Sequence, residues 1–256
     1  MEGRDEFAEL AATFNALLER IHDGTARQAR FVADASHELR TPLTVLRGAL
    51  DIASRVDAPP DRRTEAMARA SRTTEGMIRL VGDLLYLSRM ESPARSRRRD
   101  RLRLHEVPEA AAADLPEGER VAFRDCAADI EVFGDGDDLV RLVSNLLSNA
   151  LRNTPATGLV AVSVGREGDR AQLLVEDTGC GIPPEHLPRL GERFHRVDAS
   201  RTRIEGGTGL GLAISKEIAA GHGGTLEFVS VVGQGTTATL SLPLAAGGQS
   251  PTFDAA

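Results

Sequence analysis

Four groups of residues in this chain of 256 have the types and spacing that chemistry needs. In the run FVADASHELRTPLTVLRGAL, residues 31–50, an α-helix turning roughly 100° per residue places Phe31, Val32, Ala35, Leu39, Leu43, Leu46 and Leu50 on one broad apolar stripe. His37 points almost directly away from that stripe, flanked by Thr41 and Thr44 and followed by Glu38. A solvent-facing imidazole beside a carboxylate suits a nucleophile that a second substrate must reach. In DDLVRLVSNLLSNALR, Asn145, Asn149 and Arg152 share the face opposite Leu139, Leu142, Val143, Leu146, Leu147 and Ala150. Asparagine is a mediocre helix former, so this set reads either as a solvated polar face or as a magnesium-phosphate site. In the second case an amide oxygen is the hard ligand and Arg152 meets the anion.

The other two groups are glycine clusters. Asp177 ends a strand-like run and enters TGCGIP, where Gly179 and Gly181 allow backbone to approach a ligand. A buried carboxylate there can accept a hydrogen bond from an exocyclic amine such as that of adenine. In GGTGLGL, Gly207, Gly209 and Gly211 open a helix whose first N–H groups suit phosphate. The spacing is GxGxG and no strand immediately precedes it, which separates it from the dinucleotide fingerprint.

The elements that must position these groups follow from periodicity. Phe7, Leu10, Phe14, Leu17, Leu18 and Ile21 predict a first amphipathic helix, with Asp5 and Glu6 at its positive end. A second helix carries His37 to about Val56, where Ala58, Pro59 and Pro60 end it; Met67, Met77, Ile78, Val81, Leu84 and Leu85 define a return helix ending near Pro93. Such a hairpin leaves an apolar face, and a second copy forming a four-helix bundle would bury it, so a homodimer is expected. Alternating patterns at Leu102 to Leu104, Ile130 to Val132, Val160 to Val164, 171–177, 225–231 and 236–244 predict strands, with helices at 137–152, 184–190 and 209–220 between them. The fold class expected is multidomain α and α+β: the hairpin, then an α/β sandwich with helices on one face of a sheet. The long irregular segment containing GERFHRVDASRTR reads as a lid or a disordered loop.

Composition narrows the classes. Hydrophobic residues make up 41% and aromatics 4%, with no Trp, so the cores are built from Leu, Val, Ile and Ala, which suits helical packing. A net charge of −7 argues against nucleic acid as a partner. The basic stretch from Arg95 to Arg103 reads as a solvated linker. Cys126 and Cys180 show neither metal-ligand spacing nor a disulfide framework, which suits a reducing cytoplasmic compartment. No run approaches the roughly 18 apolar residues of a membrane span, and no signal peptide opens the chain.

Taken in order, the motifs are specific. FVADASHELRTPL resembles the phosphoacceptor box of sensor histidine kinases, LVSNLLSNALRNTP their asparagine box, VEDTGCGIP and GGTGLGLAISKEIAAGHGG their glycine boxes, and ERFHRVD their phenylalanine box. DEFAELAATFNALLERI is similar to the second helix of a HAMP signal relay. The resemblance implies residues 1–22 as HAMP, 23–93 as the dimerisation and phosphotransfer hairpin, 94–101 as linker, 102–245 as a Bergerat (GHKL) ATP-binding domain and 246–256 as a disordered tail. It implies ATP and Mg²⁺ as cofactors, with His37 as phosphoacceptor and Glu38 as base or orienter. Thr41 would position water in a reverse, phosphatase reaction. Asn149 would hold magnesium, Asn145 and Arg152 would lie beside the phosphates, and Asp177 on the adenine amine. Arg193 or Arg196 would reach the γ-phosphate. The implied partners are a second copy and the receiver domain of a response regulator. An upstream membrane segment outside this chain would place the full-length protein at the cytoplasmic face of the membrane, these residues themselves being soluble. The sequence departs from the family pattern at Asn153, where an aromatic often stacks on adenine, at His195, where tyrosine is common, and at Cys180. A GHKL-type ATPase and a catalytically silent dimeric adaptor are the competing readings.

Overall fold

A computed structural model describes residues 3–55, 57–90, 99–196 and 208–245. The chain divides into two compact units, Met1–Arg79 and Leu80–Ala256, with the boundary inside a helix.

The first unit is built on α1 (Gly3–Ser54) and most of α2 (Pro60–Met90). The sequence predicts two separate helices with a boundary between residues 22 and 23, but α1 is continuous through Gly24. One mid-helix glycine costs only about 1 kcal/mol relative to alanine, too little to end a helix supported on both sides. The Thr25 hydroxyl donates to the His22 carbonyl at 2.9 Å and satisfies a side chain that would otherwise compete for the backbone. Pro42 also lies inside α1; having no N–H, it leaves the Glu38 carbonyl without its helical donor.

At the turn, Arg55 pairs with Asp57 at 2.8 Å. Pro60 begins α2 with φ already suited to a helix, and Asp61 meets its positive end. Arg63 Nε reaches back to the Ala53 carbonyl at 3.2 Å, clipping the two helices together. Ala66, Ala70 and Thr73 on α2 and Ala49 on α1 are buried.

The single apolar stripe expected on α1 is divided. Phe31, Ala35, Leu39 and Leu46 are partly buried, whereas Val32, Leu43 and Leu50 remain 57%, 51% and 47% exposed. One partner helix covers only part of a stripe so broad.

The second unit opens with the last turns of α2. Strand β1 (Asp100–Arg103) pairs antiparallel with β3 (Glu131–Gly134). A five-stranded sheet has the order β2-β4-β5-β7-β6, formed by β2 (Val121–Cys126), β4 (Val160–Glu167), β5 (Arg170–Asp177), β6 (Thr225–Val231) and β7 (Gly235–Pro243). Only the β2–β4 pair is parallel. The helices are α3 (Glu106–Ala113), α4 (Gly136–Asn153) and α5 (Gly211–Gly221). Leu139, Leu142, Leu147, Ile214 and Ile218 from the helices and Val162, Leu173, Leu240 and Leu242 from the sheet are fully buried, which is the two-layer sandwich that the alternating patterns predict.

Two local expectations change. The helix expected at 184–190 is a single 3-10 turn at Leu187–Arg189, because Pro188 inside it removes the donor to the Pro184 carbonyl and its ring crowds the preceding turn. The stretch from Glu106 to Asp129 adds a helix and a strand, α3 and β2, that are not among the elements the periodic patterns predict.

Candidate functional site

His37 and Glu38 are exposed on α1, and Thr41, one turn beyond His37, is partly buried. The neighbouring hydroxyls are turned inward: Ser36 donates to the Val32 carbonyl at 2.7 Å and Thr44 to the Arg40 carbonyl at 3.0 Å. Neither competes for the imidazole. With the Glu38 carbonyl freed by Pro42, the backbone is loosened one residue from His37.

In the second unit α4 is the spine of the site. Asp135 caps it by accepting from the N–H groups of Asp137 and Asp138 at 3.1 and 3.3 Å. Its other end is fixed by Arg120, whose Nη2 donates to the carbonyls of Thr154 and Pro155 at 3.3 and 2.8 Å. His222, just past α5, fastens the two helices: its Nε2 accepts from Asp135 N–H at 3.0 Å and its Nδ1 donates to the Ile218 carbonyl at 2.7 Å. These bonds require a neutral ring with its proton on Nδ1. The sequence signal for this strut was the His in GHGG.

The two glycine clusters meet α4 a little over two turns apart. Asn145 Nδ2 donates to the Gly211 carbonyl at 3.1 Å and lies 3.5 Å from the Ser215 hydroxyl, placing the start of α5 against the middle of α4. Cys180 N–H donates to the Asn153 carbonyl at 3.3 Å, placing the other turn against its end. Asn149, partly buried, lies on the face between them; Arg152, exposed, lies beside it and donates to Ser148 Oγ at 3.4 Å. Asn153 bends back to the Asn149 carbonyl at 2.8 Å.

Asp177 ends β5 and accepts from Gly179 N–H at 2.8 Å. Burial pushes its carboxyl above the usual carboxylate value, and the Gly179 and Thr236 backbone N–H groups pull the other way. The turn beyond it is held by Ser230, whose Oγ accepts from Ile182 N–H and donates to the Gly235 carbonyl, both at 2.8 Å. Gly181 has φ +68°, and a Cβ there would lie 2.2 Å from the Val231 carbonyl oxygen, so a side chain is excluded twice over.

The described residues on either side of 197–207 are joined by a hydrogen bond. Phe194 N–H donates to the Gly209 carbonyl at 3.0 Å. Both residues have positive φ, +62° and +72°, the former unusual for an aromatic residue. Arg193 and Arg196 are on the entering limb, partly exposed; Gly207 lies outside the described residues. His195 stands 5.4 Å from His186, ring to ring. Burial, with help from the Arg189 cation and His186 and against the pull of Glu192, holds its imidazole below the usual value.

Thus Asn145, Asn149 and Arg152 lie along α4 with Gly211 against Asn145 and the turn of Gly179 and Cys180, which follows Asp177 and leads to Gly181, against Asn153; Gly209 lies two residues before Gly211, and His37, Glu38 and Thr41 are on the other unit. The donor set fits a magnesium nucleotide: a half-buried carboxylate for an amine, an amide oxygen for a hard cation, and a helix N-terminus for phosphate. Among the described residues no cluster of three His, Cys, Asp or Glu forms a metal site.

Comparison with known proteins gives this arrangement its class. Residues 27–93 match the family model of the His Kinase A (phospho-acceptor) domain, and residues 134–246 that of the histidine kinase-, DNA gyrase B-, and HSP90-like ATPase. A phosphoacceptor-type hairpin is joined to an ATPase-like sandwich. The phosphate regulon sensor protein PhoR of Pseudomonas aeruginosa is 38% identical over 226 residues, covering 86% of this chain and 51% of PhoR. The solved mycobacterial sensor histidine kinase MprB is 30% identical with a TM-score of 0.51, covering 57% of this chain and 98% of that one. Full-length ShkA, solved in complex with AMPPNP, is 25% identical with a TM-score of 0.60, covering 85% of this chain and 46% of that one. The chain belongs to the sensor histidine kinase family. It spans about half the length of the curated relatives it matches.

Proposed function

We propose that this chain is the kinase portion of a two-component sensor, taking the γ-phosphoryl group of ATP onto His37 and passing it to an aspartate of a response regulator receiver domain. The observation that carries this is the pairing, on one chain, of an exposed His37 beside Glu38 with an asparagine face bracketed by two glycine turns. ATP with Mg²⁺ supplies the phosphoryl group; the chain supplies position and charge. Asp177 accepts the adenine amine. Asn149 offers its amide oxygen to the cation, while Asn145 and Arg152 face the phosphates. Arg193 and Arg196 bring positive charge on the lid's entering limb. Glu38 orients the imidazole of His37 and receives its proton. The HExxT spacing from His37 to Thr41 supports a second role in removing phosphate from the regulator.

The exposed residues of the hairpin support a homodimer. Val32, Leu43 and Leu50 on α1 repeat at the same intervals as Met67, Ile78 and Leu85 on α2, and all six are well exposed. Their spacing is heptad-compatible, so a second copy would bury both rows in a four-helix bundle. Residues 1–22 are assigned to the end of a HAMP relay, which would place the full-length protein at the cytoplasmic face of a membrane. No described helix is long and apolar enough to cross one.

The test is incubation with γ-labelled ATP and Mg²⁺, comparing the wild type with His37→Gln and Asn149→Ala. An acid-labile, base-stable label on the wild type alone supports the proposal. Label retained by His37→Gln overturns the acceptor assignment, and phosphate released without labelled protein points instead to an ATPase.

A further inference from the structure

The last turns of α2, which belong to the second unit, hold that unit at residues the phosphoryl-transfer reading does not use. Asp83 Oδ1 accepts from Arg141 Nη2 at 2.7 Å, and its Oδ2 accepts from the Thr208 hydroxyl at 2.8 Å. One turn further on, the Tyr86 hydroxyl donates to Asp138 Oδ1 at 2.5 Å, and the Arg141 guanidinium lies over the Tyr86 ring, 3.9 Å from its centroid. Asp83 and Tyr86 are three residues apart on α2, as are Asp138 and Arg141 on α4. The two pairs meet because i and i+3 share a helix face. The Asp83 side chain is only 19% exposed, so its bonds form away from bulk water, where charge-assisted contacts are strongest.

Thr208 is the informative member. It is the described residue at which the lid returns, and its oxygen accepts from Leu210 N–H at 3.2 Å. A hydroxyl has one proton. Because Asp83 takes it, the oxygen lone pairs are directed to Leu210. That N–H belongs to the N-terminus of α5, for which Leu210 is the cap residue. It is one of the donors a helix start offers to phosphate.

We propose that Asp83 works as a latch on the nucleotide site: by fixing Thr208 on Leu210 N–H, it occupies with the chain's own hydroxyl a donor that the phosphates of bound nucleotide require. The proposal rests on the reading of the α4 cleft as a nucleotide site. Latch and nucleotide compete, so the coupling is reciprocal. Releasing the end of α2 raises nucleotide affinity, and nucleotide releases the end of α2. Arg141 keeps the Asp83 carboxylate from repelling the phosphates outright, which leaves competition for one N–H as the main coupling.

Two measurements on the whole chain test this. Calorimetric titration with ATP and Mg²⁺ compares the wild type, Asp83→Ala, Thr208→Val and the double variant, with Asp177→Asn as reference. Each single latch variant should bind 3- to 10-fold more tightly, and the double no more tightly than either single. Separately, amide exchange at Leu210 without nucleotide should accelerate at least tenfold in both single variants, while the thermal midpoints stay within a few degrees of wild type. Unchanged or weaker binding by Asp83→Ala overturns the latch, as do additive effects in the double variant. Tighter binding by Asp83→Ala with none by Thr208→Val also overturns it, because Leu210 would then not be the shared donor. If the wild type binds no ATP while Leu210 responds as expected, the nucleotide reading has failed and the competition falls with it.

Discussion

Replacing Asp177 by Asn separates the binding role of this carboxylate from its cost to the fold. The side chain is half-buried at the end of β5, and burial raises its carboxyl above the usual value. Asn keeps the shape and an oxygen to accept the Gly179 N–H that now lies 2.8 Å from Oδ1, so the turn should survive. What the proposed function would lose is the negative acceptor for the adenine amine; in its place an amide NH₂ would face another donor. A hydrogen bond to a charged group contributes about 1.5–3 kcal/mol, and at about 1.4 kcal/mol per tenfold this corresponds to roughly 10- to 150-fold weaker ATP binding.

Stability should move the other way. A carboxyl whose folded value lies above its unfolded value contributes stability that is present below the unfolded value and lost as pH rises through the raised one. At neutral pH the ionised Asp177 is therefore a burden that the neutral amide of the Asp177→Asn variant does not carry. The variant should melt at or above the wild type at pH 8, and its advantage should shrink as the pH falls below the ordinary carboxylate range. Calorimetric titration with ATP and thermal unfolding across that range measure both effects. An affinity within twofold of wild type, or a variant less stable at pH 8 than at pH 4 relative to wild type, would refute the reasoning.

Other perturbations follow from single contacts. Gly181→Ala should cost about 2–4 kcal/mol in a thermal melt, because it combines an unfavourable φ with a Cβ 2.2 Å from the Val231 oxygen. Asp135→Ala removes the acceptor for two N–H groups at the start of α4 and should cost about 1–2 kcal/mol in denaturant unfolding. Ile78→Glu, at a position 67% exposed on α2, should turn a dimer into a monomer in light scattering at micromolar concentration; an unchanged mass argues against the heptad rows as the seam. For His195 the folded value is lowered from 6.5. Its contribution is therefore complete above 6.5 and lost as pH falls through the lowered value. The protection factor of the Phe194 amide, the free-chain exchange rate divided by its own at the same pH, should fall in mild acid in the wild type and much less in His195→Phe.

Much of the site was legible because it rests on local chemistry. The amphipathic split of 137–152 placed the Asn145 and Asn149 face against solvent before any contact was known, and Gly179, Gly181, Gly209 and Gly211 marked the turns that reach it. The failures have a common cause. Gly24 and Pro188 both oppose a helix, yet a 52-residue helix absorbs the first while a short segment cannot absorb the second. The stripe on α1 was visible as apolar, but its division into half-buried and exposed rows depends on how many helices pack against it. Nothing in the local pattern relates Asp83 to Thr208, since 125 residues separate them; only the packing of α2 and of the start of α5 against α4 brings them together.

The hydrogen bond between Phe194 and Gly209 has an evolutionary consequence. A loop whose two ends are stitched together presents the same stubs to the sandwich whatever lies between them. Closure entropy grows only with the logarithm of loop length, about 0.6 kcal/mol per doubling. Insertions and deletions between Arg196 and Gly207 can therefore accumulate without shifting α5, provided Thr208 keeps its bonds to Asp83 and Leu210. The same base would accept a foreign segment grafted between Arg196 and Gly207, making this the place where related chains can diverge most while keeping the rest of the domain in register.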